Sequence, residues 1–186
     1  MEPVIPISQR RRRKSRGAEI MEFTLIFLPM LAFVTVIADT GWAIWAKATL
    51  QRAVRLGVRS GVTLTANQMT GGACLTDTVK SVVQANSFGL LKGSGGLSLI
   101  QVHYYQPPAP GSTAAATDVS SQSNGDQGGN IMQVSVNNYS LNPLMPRITS
   151  WKAGTVDSNP LIFSVNSADI IEPSGAQAAP CIGTAP

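Results

Sequence analysis

The sequence predicts an α+β fold: a long amino-terminal helix, a second shorter helix and a roughly three-stranded antiparallel sheet. Three observations carry that prediction. Residues 23–38 are free of charge and sit in a helical apolar run; residues 75–88 repeat apolar side chains at three- and four-residue spacing; and residues 97–106, 131–139 and 161–171 alternate apolar with polar side chains.

Residues 1–17 contain Pro3, Pro6 and the basic cluster Arg10, Arg11, Arg12, Arg13, Lys14 and Arg16, without apolar periodicity, and are expected to form a disordered cytoplasmic leader. The helix follows from Gly17. About 20 mostly apolar residues rising roughly 1.5 Å each are enough to cross a bilayer. Trp42 and Trp45 come where an aromatic belt meets the far interface, and Pro29 is expected to kink the helix without ending it. Beyond the membrane, Leu50, Val54, Gly57, Val58 and Gly61 fall on one stripe while Arg52, Arg55 and Arg59 fall on another. The expected helix therefore occupies residues 18–62. Its apolar stripe needs a cover, for which the chain's own carboxy-terminal domain is the expected partner; a basic helix lying on lipid headgroups is the alternative.

Gly71 and Gly72 interrupt the pattern before the second helix, whose Leu75, Val79, Val82 and Val83 share a face and whose cap is expected at Thr76 or Asp77. The strands should turn inward Ile100, Val102 and Tyr104, then Met132, Val134 and Val136, then Leu161, Phe163 and Val165. One face of the sheet would pack on the helices, giving an extracytoplasmic domain over residues 63–172. Residues 107–130, rich in Pro, Gly, Ser, Ala and Asn, are expected to form a mobile surface loop, and 173–186 an unstructured tail.

The net charge of +4 suggests nucleic acid until it is mapped. Ten of the fourteen Lys and Arg residues precede Ser60, and a cut after Gly17 leaves eight basic against nine acidic residues, a net of −1. Nucleic-acid binding by the folded part is thus not expected. Cys74 and Cys181 lie on the same side of the apolar run, so an oxidising compartment would let them pair and tether the tail; two unrelated buried thiols are the alternative. His103 stands alone, without zinc-ligand spacing, and the serines lack a catalytic constellation in the sequence. No enzymatic activity, metal or cofactor is expected.

The amino terminus allows three outcomes. A secretory signal would be cut after Val36-Ile37-Ala38, an uncleaved anchor would keep Met1, and a leader peptide would be cut at Gly17. Glu22 and Asp39 are separated by about 26 Å of helix, so both could simply mark the two membrane interfaces. Glu22 is also the fifth residue after a cut at Gly17. The run Gly17-Ala-Glu-Ile-Met-Glu-Phe-Thr-Leu-Ile-Phe-Leu-Pro29, with Asp39-Thr-Gly41 and Ala53-Val-Arg55-Leu-Gly57-Val-Arg59, resembles the TadE family of pseudopilins from tight-adherence (Tad/Flp) type IV-like pili.

The resemblance covers residues 10–61 and implies a minor pilin of a bacterial inner membrane, with its amino terminus cytoplasmic and its domain outside. It implies cleavage by a prepilin peptidase between Gly17 and Ala18, an assembly role for the Glu22 carboxylate and a possible second one for Asp39. The implied partners are membrane lipid, the peptidase and other pilins. A permanently anchored extracytoplasmic binding or scaffold protein is the alternative.

Overall fold

The structure, a computed structural model, describes residues 12–64, 74–123, 125–143 and 160–172. Helix α1 (Arg12–Thr63) spans 52 residues and runs through Pro29. It begins inside the segment expected to be disordered, because Arg and Lys are good helix formers and no proline stands between Pro6 and Pro29. Contacts divide the chain into two units, the first holding α1 as far as Trp42, the second beginning at Ala43.

In the second unit, α1 contributes Ala46, Leu50, Ala53, Val54, Val58 and Val62 as buried residues, while Arg52, Arg55 and Arg59 are exposed. The two stripes therefore separate as their spacing requires, and the apolar one packs within the chain. Helix α2 (Leu75–Ala85) buries Leu75, Thr76, Val79 and Val83. A short helix α3 (Gly93–Leu97) leads into β1 (Ile100–Gln106), followed by β2 (Thr117–Asp118), β3 (Ile131–Leu141) and β4 (Leu161–Ile170). All pairings are antiparallel, in the order β2-β1-β3-β4.

The core is the inner face of this sheet against the helices. Ile100, Val102 and Tyr104 from β1 and Met132, Val134 and Val136 from β3 are buried with the α1 and α2 residues in one cluster. From β4 only Val165 is fully buried; Leu161 and Phe163 are half-buried, and the Phe163 ring meets Tyr139 at 5.4 Å between centroids. Half-burial follows from position, because β4 lies at the edge of the described sheet.

Several expectations need correction. Among the described residues the three expected strands are joined by a fourth, two-residue one, because Thr117 and Asp118 pair with Gln106 and Tyr105. Leu97 belongs to α3, so β1 starts at Ile100. The cap of α2 is Cys74, without a side-chain capping bond, and Thr76 lies inside the helix, its hydroxyl 3.1 Å from the Tyr104 hydroxyl. That buried pairing gives Thr76 a tertiary partner that capping would have denied it. The segment 107–130 is only partly loose: residues 107–118 are exposed, whereas Val119 is buried and its N–H donates to the Tyr104 carbonyl at 2.8 Å. Gly71, Gly72, Cys181 and the tail lie outside the described residues.

Candidate functional site

The first candidate is the amino-terminal part of α1. Its apolar side chains are exposed throughout: Ile20, Phe23, Leu25, Ile26, Met30, Phe33 and Ile37 all retain more than half of their accessible surface. Isolated exposed apolar residues need no explanation, but a continuous apolar surface marks contact with lipid or protein. Among the described residues this is the one helix long and apolar enough to cross a membrane.

Its polar groups are arranged accordingly. Thr24, Thr35 and Thr40 each donate their hydroxyl to a carbonyl of the same helix, those of Ile20, Ala32 and Val36, at 2.8 Å. No water is needed to satisfy these donors, which is the condition a hydrocarbon environment imposes. Phe23 and Phe27 stack one turn apart with centroids 5.3 Å apart.

Gly17 lies within α1, and a Cβ there would meet nothing within 4 Å. Glycine costs a helix about 1 kcal/mol relative to alanine, and nothing in this fold requires it at that position. Ala18 and Glu22 are exposed, and Asp39 is half-buried. The structure does not bring Glu22 and Asp39 together, since about 26 Å of helix separates them.

Residues 17–59 match the family model for TadE-like proteins. The segment is similar to TadE-like proteins. The match starts at Gly17 and stops short of α2 and the sheet, so it covers only part of α1. No curated protein and no solved structure matches the chain. TadE-like proteins are a structural family associated with the Tad pilus, and the likeness is confined to this segment of the chain. The long exposed apolar helix fits a membrane anchor.

The domain holds a polar cluster that sequence reading missed. His103 Nδ1 lies 3.2 Å from Asp118 Oδ2, while Asp118 Oδ1 accepts from both the backbone N–H and the hydroxyl of Ser120. Those bonds from Ser120, with His103 adding to them, hold the Asp118 carboxyl below its ordinary range. Serine, aspartate and histidine are the residue types of a nucleophilic triad, but the order is wrong. Here the serine donates to the carboxylate and also accepts from the Tyr104 N–H at 2.8 Å, so no base is placed to take its proton. The local signal was Asp118-Val-Ser120, the spacing of an Asx turn; its pairing with His103, fifteen residues away, had none.

Asp126 is a second buried group. It is only 6 % exposed, and neither carboxylate oxygen has a hydrogen-bond partner among the described residues. Desolvation raises its pKa. Tyr104, buried at the same end of the sheet, has its phenol pushed up to about 12, chiefly by burial, with Asp126 and Asp77 adding to the shift. Among the described residues, no group of three His, Cys, Asp or Glu side chains stands close enough to hold a metal.

Proposed function

We propose that this protein is a minor pilin-like subunit, a pseudopilin, of a tight-adherence pilus. It is inserted with its amino terminus in the cytoplasm, cut by a prepilin peptidase between Gly17 and Ala18, and recruited sideways through α1 into a pilus or its initiating complex. The observation that carries this is the exposed apolar face of a TadE-like helix whose family match begins at a glycine the fold does not need.

Cleavage would do two things. It would remove six of the fourteen basic residues, which hold the amino terminus inside by the positive-inside rule, and it would create an ammonium group at Ala18. Glu22, one helical turn on, is an exposed carboxylate in an apolar surface. An unpaired charge in hydrocarbon costs several kcal/mol, so Glu22 would favour the register in which it meets the ammonium of a neighbouring subunit. Asp39, near the other end of the apolar run, would serve as a second polar contact. Activity would then consist of assembly, with lipid, the peptidase and other pilins as partners.

Glu22→Ala tests the assembly step. The variant should still insert and be cut, while its recovery with other pilins from detergent-solubilised membranes falls by about ten-fold, the equivalent of ~1.4 kcal/mol. Unchanged recovery would leave Glu22 as an interface residue and overturn its assembly role.

A further inference from the structure

The outer face of the sheet carries a depression that neither the helix nor the family match accounts for. It lies beside a bulge in β3: the register with β4 slips between Val136 and Tyr139, and Asn138 there takes a left-handed φ of 55°. Asn adopts that region more readily than other non-glycine residues, and bulges commonly re-aim side chains beside a site. The Asn138 N–H is secured by Ser164 Oγ at 3.2 Å. Next to the bulge, Asn137 donates through Nδ2 to Gln101 Oε1 and to Ser135 Oγ.

The depression encloses about 300 Å³ and is lined by His103, Tyr105, Gln133, Asn137, Ser164 and Asn166, among other residues. That volume is at the small end of ligand sites, which run from roughly 300 to 1,000 Å³. The lining is polar and nearly free of fixed charge: no Lys, Arg, Asp or Glu is among its described residues. Much of its hydrogen-bonding capacity is unspent. The side-chain amides of Gln133 and Asn166 make no hydrogen bond to another described residue, and an amide offers donors and acceptors side by side. Asp118 engages His103 through Nδ1, orienting the ring and leaving Nε2 for a further partner. The Tyr105 ring lies beside that imidazole, 6.1 Å away between centroids and inclined by 24°.

These features select a chemical class. A phosphate or carboxylate would want Arg, Lys or converging backbone N–H groups; none of these side chains lines the depression. A purely apolar ligand would leave the amides unpaired. Hydroxyl groups donate and accept at once, as the amides do, and the apolar face of a pyranose ring suits an aromatic ring with polar neighbours.

We propose that the depression binds one residue of a neutral sugar, with Gln133, Asn137 and Asn166 hydrogen-bonding its hydroxyls and Tyr105 supporting its C–H face. This site is independent of the role assigned to α1, since it lies wholly within the sheet.

The test uses the full chain, isotope-labelled, in a phosphocholine micelle, because maltoside and glucoside detergents carry sugar themselves. Glucose, N-acetylglucosamine and the trimer of each are titrated across the millimolar range while the side-chain amide and His103 ring signals are followed. Saturable shifts of Gln133, Asn137, Asn166 and His103 with at least one probe are expected. Tyr105→Ala and Asn166→Ala should each weaken binding by about five- to ten-fold. Asn166 is exposed, so its variant reads the contact without disturbing the core. Equal binding of monomer and trimer would identify a free or terminal sugar as the ligand, and binding of the trimer alone a sugar within a polysaccharide. The proposal is overturned if no probe gives saturable shifts, if both variants bind as the parent does, or if inorganic phosphate shifts these signals and the sugars do not.

Discussion

Gly57 of α1 faces Val83 of α2 so closely that a Cβ at position 57 would overlap the valine Cγ2. Gly61, one turn on, sits close against Val79 and the Met132 sulfur, each 2.7 Å from where its Cβ would be. The two glycines let the helix backbone approach α2 and the sheet, and Val83 is too stiff at χ1 to swing aside.

Gly57→Ala should therefore destabilise the domain by about 1–3 kcal/mol through overpacking, despite alanine's better helix propensity. Gly41→Ala is the contrast, because a Cβ at Gly41 meets nothing within 4 Å. Thermal unfolding of the full chain in detergent should show a lowered midpoint for the first variant and none for the second. Equal midpoints would mean that α1 and α2 do not pack as closely as described.

Asp126 predicts a pH dependence. Its pKa is raised in the folded state, so its contribution is fully present below the unfolded carboxylate value of about 4 and is lost as pH rises through the folded value. Asp126→Asn removes the ionisation. The variant should melt higher than the parent at pH 7, by a few degrees on a scale of about 4–8 °C per kcal/mol, with the difference shrinking toward pH 4. A difference that does not vary with pH would show that the buried carboxylate is not the cause.

Much of this architecture could be read from periodicity. Leu50, Val54, Gly57, Val58 and Gly61 line up because a helix repeats every 3.6 residues, and Ile100, Val102 and Tyr104 share a face because a strand repeats every two. What was illegible depends on distant partners. Thr117 and Asp118 have no alternation of their own and become a strand only by pairing with β1. The glycine-rich α3 has poor propensity and borders a loop held by the Gln84 amide, which donates to the carbonyls of Leu91 and Gly93. Thr76 looked like a cap because capping is a local rule, whereas its hydroxyl answers to Tyr104, 28 residues away. Gly17 and Glu22 stand apart: the roles proposed for them rest on their spacing, a Cβ at Gly17 would meet nothing within 4 Å, and Glu22 is exposed.

Cys74 stands immediately before α2, beside the buried Leu75 and Thr76, and Cys181 lies outside the described residues. A link between them would close a loop of over a hundred residues, worth ~4–5 kcal/mol on the chain-entropy estimate. A non-reducing peptide map of protein recovered from the cell envelope should contain the Cys74–Cys181 pair, and Cys74→Ser should lower the melting temperature. Two separate thiol-bearing peptides would refute the tether.

The central claim is a processed subunit whose helix remains attached, and the identity of its first residue tests that most directly. Intact mass and amino-terminal sequencing of protein purified from membranes with an active prepilin peptidase should find Ala18 at the amino terminus. Met1 would identify an uncleaved anchor and Asp39 a secreted domain; either result would contradict the account.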